Sequence, residues 1–129
     1  MNLSETSRTF IIIGAIAGFL SVALGAFGAH GLKQSLSSEL MAIYQTAVSY
    51  QIYHSLALIL IALIFQHQQN NFIKAAGWIM LAGMLIFSGS LYLLTLTDTR
   101  WLGAITPLGG TLLLLSWLLL GLGVSKRTL

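Results

Sequence analysis

The chain has 129 residues; 57% are hydrophobic, and its charged residues number only six Lys or Arg and three Asp or Glu. A soluble domain carries about 25% charge, and the 7% found here cannot clothe a water-facing surface. A soluble enzyme, a secreted disulfide scaffold and a disordered chain are excluded. With no cysteine there is no lipobox, disulfide, thiolate metal site or redox pair.

No charge falls within Phe10–Ala29, Tyr44–Phe65, Ala75–Thr97 or Gly103–Val124, windows of 20, 22, 23 and 22 residues. A hydrocarbon core of about 30 Å takes about 20 helical residues. Each window can cross once and none can cross twice. A membrane barrel would show alternating segments of about ten residues instead. The expectation is an all-α integral membrane four-helix bundle, a single transmembrane domain over residues 1–129.

Residues 1–8 read as a polar lead, and helix 1 is expected over about 9–29. Its apolar run exceeds the core of a cleaved signal peptide, so it is expected to be retained. His30–Leu36 breaks it, with Gly31 suited to a C-terminal cap. Helix 2 is expected over about 38–65, with Ser37 as N-cap and Glu39 in the first turn, at the positive end of the dipole. That length exceeds one crossing. Its first part reads as an interfacial extension, with Tyr44, Tyr50 and Tyr53 at headgroup depth.

His67–Asn71 is a short uncharged turn that makes helices 2 and 3 antiparallel neighbours. Helix 3 is expected over about 72–96, with Trp78 near one end and Trp101 anchoring the far side. Helix 4 falls within about 103–124. Pro107 favours a start there, with Thr106 as cap and Gly103–Ile105 non-helical; the alternative is a helix from Gly103 kinked at Pro107. One side of the membrane collects Arg8, Lys74, Lys126 and Arg127, the other Lys33 and Arg100. The excess of positives places both termini in the cytoplasm of a bacterial inner membrane. Only Lys126 and Arg127 are adjacent, so no nucleic-acid footprint exists.

At 100° per residue, Gly14, Gly18, Ser21, Gly25 and Gly28 fall within an arc of about 80° on helix 1. Small-residue stripes let backbones approach in lipid. Helix 4 carries Gly103, Pro107, Gly110, Leu114, Trp117 and Gly121 on one face. A deep Trp117 would fill space left by glycines, and its N–H would need an acceptor. Helix 3 has a face of Gly77, Met84, Ser88, Tyr92 and Thr95 and an opposite one of Ala76, Gly83 and Ser90. It is therefore either central or partly an oligomer contact.

The candidate polar cluster is His30, Gln51, His54, Ser88, Ser90 and Tyr92. Ionisable groups at membrane depth often face the bundle interior and carry function. A proton relay or ligand site would use His54, Gln51 and Tyr92. The competing, favoured reading is a neutral histidine that fixes packing, because no carboxylate lies at its depth. A metal centre is not expected: zinc takes three or four protein ligands, and His67 lies in the opposite loop from His30. Catalysis by Ser88 or Ser90 with His54 lacks an acid to orient the imidazole. No catalytic residue, metal or cofactor is expected.

Four blocks carry a resemblance: Gly25-Ala26-Phe27-Gly28-Ala29-His30-Gly31-Leu32, then Tyr50-Gln51-x-Tyr53-His54, then Phe87-Ser88-Gly89-Ser90-Leu91-Tyr92, and Thr106-Pro107-Leu108-Gly109-Gly110 with Trp117. In this order and spacing they resemble the YgdD/YwdK-like family of small bacterial inner-membrane proteins, which has animal relatives among small transmembrane proteins. The resemblance implies a four-helix membrane protein and supplies no activity. The expected role is non-enzymatic, structural or accessory, through helix contacts with the lipid bilayer, another copy or a membrane partner. The alternative is a small oligomeric permease lined by His54, Gln51 and Tyr92.

Overall fold

The computed structural model describes residues 2–126. Four helices form: α1 Glu5–Phe27, α2 Ser38–His67, α3 Asn71–Thr97 and α4 Thr106–Ser125. Each is long and apolar enough to cross a membrane, and no strand occurs among the described residues. Arg127 lies outside the described residues.

Capping fixes the starts. Ser4 accepts from the Ser7 N–H, so α1 begins a turn before the charge-free window, with Glu5 in its first turn. Ser37 accepts from Leu40 and Asn70 from Ile73 in the same way. Gly31 is not a left-handed cap: no glycine among the described residues has positive φ. The chain instead widens into a π-helical turn over Gly28–Leu32. The Leu24 carbonyl, which would otherwise serve only the helix, also accepts the Tyr44 hydroxyl at 2.6 Å. Tyr44 is thereby buried between helices, whereas Tyr50 and Tyr53 are exposed.

Asp98 closes α3 in the left-handed conformation, φ 51°. Arg100 pairs there with Glu39 and Asp98, both at 2.7 Å. Hydrogen bonds first to Glu39 and then to Asp98 push its guanidinium above its ordinary range. Arg100–Ala104 is a 3₁₀ turn, so the segment expected to be non-helical satisfies its amides internally. Pro107 sits in the first turn of α4, where its missing N–H costs nothing. Thr106 does not cap; its hydroxyl meets Ser90 Oγ at 2.7 Å.

Each helix packs chiefly against its neighbours in sequence: α1 on α2, α2 on α3 and α3 on α4. Helix α3 is thus central, and its two small-residue faces have separate partners. One meets α1 and α2, where Gly77 lies under the Phe10 ring. The other meets α4, where a side chain at Gly83 would stand 3.0 Å from the Leu113 backbone. Phe10, Leu58, Ile61, Ile73 and Met80 are fully enclosed.

On the side of the termini, amides from the end of α2 and the α2–α3 turn sew the ends together. Gln66 accepts from the Ser4 N–H at 2.9 Å. Gln68 donates to the Gly123 and Lys126 carbonyls at 3.0 and 2.8 Å, and Asn70 donates to Gly123 at 3.0 Å. The last carbonyls of a helix lack partners within it; here the turn supplies them. The Lys126 ammonium lies 3.7 Å from the centre of the Phe72 ring.

Candidate functional site

The six polar candidates separate into groups. Gln51 and Tyr92 are directly joined: the Tyr92 hydroxyl donates to Gln51 Oε1 at 2.6 Å. Gln51 Nε2 donates to the Ala17 carbonyl on α1 at 2.9 Å. One side chain of α2 therefore holds α1 and α3 together. Ser88 lies one turn from Tyr92 and donates to the Ala47 carbonyl at 2.8 Å. The Tyr44 and Tyr92 rings meet edge to face, centroids 5.5 Å apart.

His54 turns away from this group, towards α4. Its Nδ1 stands 2.7 Å from the Tyr50 carbonyl, which can only accept, so Nδ1 carries the hydrogen. Its Nε2 accepts the Trp117 indole N–H at 3.2 Å. Both ring nitrogens are thus assigned, and the imidazole is the neutral Nδ1–H tautomer. Tyr50 stacks between His54 and Phe87, with centroids 5.9 and 4.5 Å away. Trp117 supplies the indole N–H, yet it is 44% exposed on α4 and does not fill space left by glycines.

Ser90 bonds Thr106 across the α3–α4 seam. His30 is exposed in the π-helical turn, whereas His54 lies about 24 Å of helical rise beyond the start of α2. The structure does not bring these histidines together. Neither Ser88 nor Ser90 bonds His54, so no nucleophile–base pair forms between them. Among the described residues, no three His, Cys, Asp or Glu side chains gather where they could share a metal ion.

The small residues also sort themselves. A side chain at Gly14 would stand 2.7 Å from Ile59 Cγ1 and 3.0 Å from the Ser55 carbonyl oxygen, and one at Gly28 would enter the Tyr44 ring. One at Gly25 would meet Val48 at 3.3 Å, and one at Gly18 nothing closer than 4.0 Å. The stripe on α1 is therefore an internal contact with α2. On α4 the close approach belongs to Gly109, against the Phe87 backbone, and Gly123, 2.6 Å from Ile73 Cγ1. Gly110 is in ordinary contact, and Gly121 has nothing within 4 Å. Sequence reasoning missed Gly123 and Ser7, and did not single out Gly109 or Ser116 as contacts. Ser7 donates to the Ala62 carbonyl and Ser116 to the Ala76 carbonyl, each between two helices. Asn70 was legible in principle, as an Asn immediately before a helix start.

No buried side-chain nitrogen or oxygen among the described residues lacks a hydrogen-bond partner. Chemically the arrangement is a set of neutral interhelical ties with one histidine of fixed tautomer.

Residues 24–110 match the family described as a protein of unknown function, DUF423. The chain is 48% identical over 119 residues to a UPF0382 membrane protein of Staphylococcus haemolyticus, covering 92% of this chain and 97% of that one. It is 47% identical to one of Staphylococcus epidermidis at the same coverage. Against the UPF0382 membrane protein YwdK of Bacillus subtilis it is 42% identical over 120 residues, covering 92% and 98%. No solved structure matches. With similarity along almost its full length and four helices able to span a bilayer, the chain belongs to the DUF423 family of UPF0382 membrane proteins.

Proposed function

We propose that the protein is a non-enzymatic accessory protein of the bacterial inner membrane, with both termini in the cytoplasm, acting through its lipid-facing helix surfaces on other membrane proteins. The observation that carries this reading is the use of the membrane-depth polar groups: Gln51, His54, Ser88, Ser90 and Tyr92 all bond to neighbouring helices or to backbone. A permease path through His54, Gln51 and Tyr92 has less support, because His54 serves the α4 seam and the other two serve α1 and α3. The outward surfaces are large and apolar, with Phe19 on α1 and Leu114 on α4 each 73% exposed. Four positives near the termini against two on the far side support the orientation.

The test is photocrosslinking in cells from benzoylphenylalanine placed at Phe19 and at Leu114. A discrete protein adduct from either position is expected. Lipid adducts alone at both would reject the accessory reading.

A further inference from the structure

Helices α1 and α3 touch on the side of the termini, where Phe10 covers Gly77 and meets Trp78 edge-on with centroids 5.1 Å apart. Beyond that contact they part, and a cleft of 360 Å³ opens between them. It extends from Ile13 to Leu24 on α1 and from Leu81 to Tyr92 on α3, about 16 Å of rise on each. Its walls are aliphatic, chiefly Ile16, Leu20 and Leu85, and α2 forms the floor at Gln51. The Gln51–Tyr92 and Ser88 bonds are already made within the protein, so the floor presents no vacant polar site.

The proportions decide what can fill it. The full 800 Å³ of space out to the open mouth, over this length, gives a mean cross-section of at most about 50 Å². A helix with side chains, 10–12 Å across, needs about 80–110 Å². A polymethylene chain, with neighbouring carbons at 3.5–4.0 Å, needs a tube about 5 Å wide, or about 20 Å². Water gains nothing in a cavity lined by aliphatic groups. The end nearest the termini is shut by Phe10. The other end, at Leu24 and Tyr92, lies only about 4–8 Å of rise below the ends of α1 and α3.

We propose that this cleft holds one acyl chain of a phospholipid, entering from the leaflet opposite the termini and ending against Phe10. The site does not depend on the accessory role.

Gly89 supplies the test. It lines the cleft, and a side chain there would meet no atom within 4 Å. A Cβ is unobstructed at Gly89, so Gly89→Phe is the variant chosen to occupy the cleft, and Gly121→Phe, on α4 with an equally unobstructed Cβ, is its control. The full chain is reconstituted in phosphatidylglycerol–phosphatidylethanolamine vesicles containing a phospholipid with a diazirine at one acyl terminus. Irradiation and peptide mapping should place adducts on Ile13 and Leu81, at the end of the cleft next to Phe10, several-fold above those on Phe19 and Leu114. Gly89→Phe should reduce the cleft adducts several-fold, and Gly121→Phe should leave them unchanged. Labelling of Phe19 and Leu114 as strong as that of the cleft, or cleft adducts that survive Gly89→Phe, would each overturn the proposal. Should Gly89→Phe fail to fold, Gly89→Cys and Gly121→Cys, each the chain's only cysteine, carry a fluorophore for quenching by chain-terminal doxyl lipid. Quenching at position 89 no stronger than at 121 would overturn it equally.

Discussion

Gln51 and Tyr92 share a hydrogen bond of 2.6 Å in which the phenol donates to the amide oxygen, while the same amide reaches back to the Ala17 carbonyl. Helices α1 and α3 are thus held to α2 by one neutral side chain at membrane depth. Interhelical hydrogen bonds in membranes contribute about 0.6 kcal/mol on average and at most about 1.7. Gln51→Leu, which removes two of them, should destabilise by about 1–2 kcal/mol. Tyr92→Phe should cost less, and the double variant less than the sum of the singles. Unfolding in mixed micelles with increasing dodecyl sulfate measures all three; strict additivity would show that the pair is not coupled.

The tautomer of His54 is dictated by an acceptor on one side and a donor on the other. Spectra of ¹⁵N-histidine-labelled protein should show Nδ1 protonated and Nε2 bare at neutral pH. Trp117→Phe removes the donor at Nε2 and should shift that nitrogen's resonance while leaving Nδ1 nearly unmoved. A bare Nδ1 would contradict the arrangement.

Adjacent glycines of α4 should respond very differently to the same change. Gly109→Ala drives a methyl into the Phe87 backbone and should cost about 1–3 kcal/mol, the usual range for overpacking. Gly110→Ala meets only the Phe87 ring, at 3.7 Å, and should be neutral or slightly stabilising. Equal effects in the same micelle assay would place the seam elsewhere.

Asn70 has two partners, capping α3 through Ile73 and holding the end of α4 through Gly123. Asn70→Ala should cost about 1 kcal/mol as a lost cap. It should also speed amide exchange in the first turn of α3 and in Leu122–Ser125 together. Faster exchange in α3 alone would show that the contact with α4 does not restrain it.

The four crossings were legible because avoiding charge is a compositional demand of the bilayer core, readable without knowing any contact. The central place of α3 was half legible: its opposed small-residue faces required two partners but did not say whether one was another copy. The face of α4 was not legible. In lipid both sides of a helix are apolar, so nothing in the sequence fixes whether Gly109 or Gly110 turns inward, and one residue is a rotation of 100°. The burial of Tyr44 was not legible for a related reason: an exposed tyrosine and a buried one carry the same hydroxyl, and it is the Leu24 carbonyl, twenty residues away, that draws this one inward. The identity of His54's partner depends on Trp117, sixty-three residues on, which no local pattern reports.

The sequential packing of the helices bears on how the chain assembles during synthesis. Each crossing docks mainly on the one before it, so α2 can settle on α1, and α3 on α2, before later segments leave the ribosome. Like His54, which waits for Trp117, the amides of Gln68 and Asn70 depart from this order: they wait for Gly123 and Lys126, made more than fifty residues later. Their closure is then a late event of folding, and a truncation before Gly123 should leave an inserted but unfastened bundle.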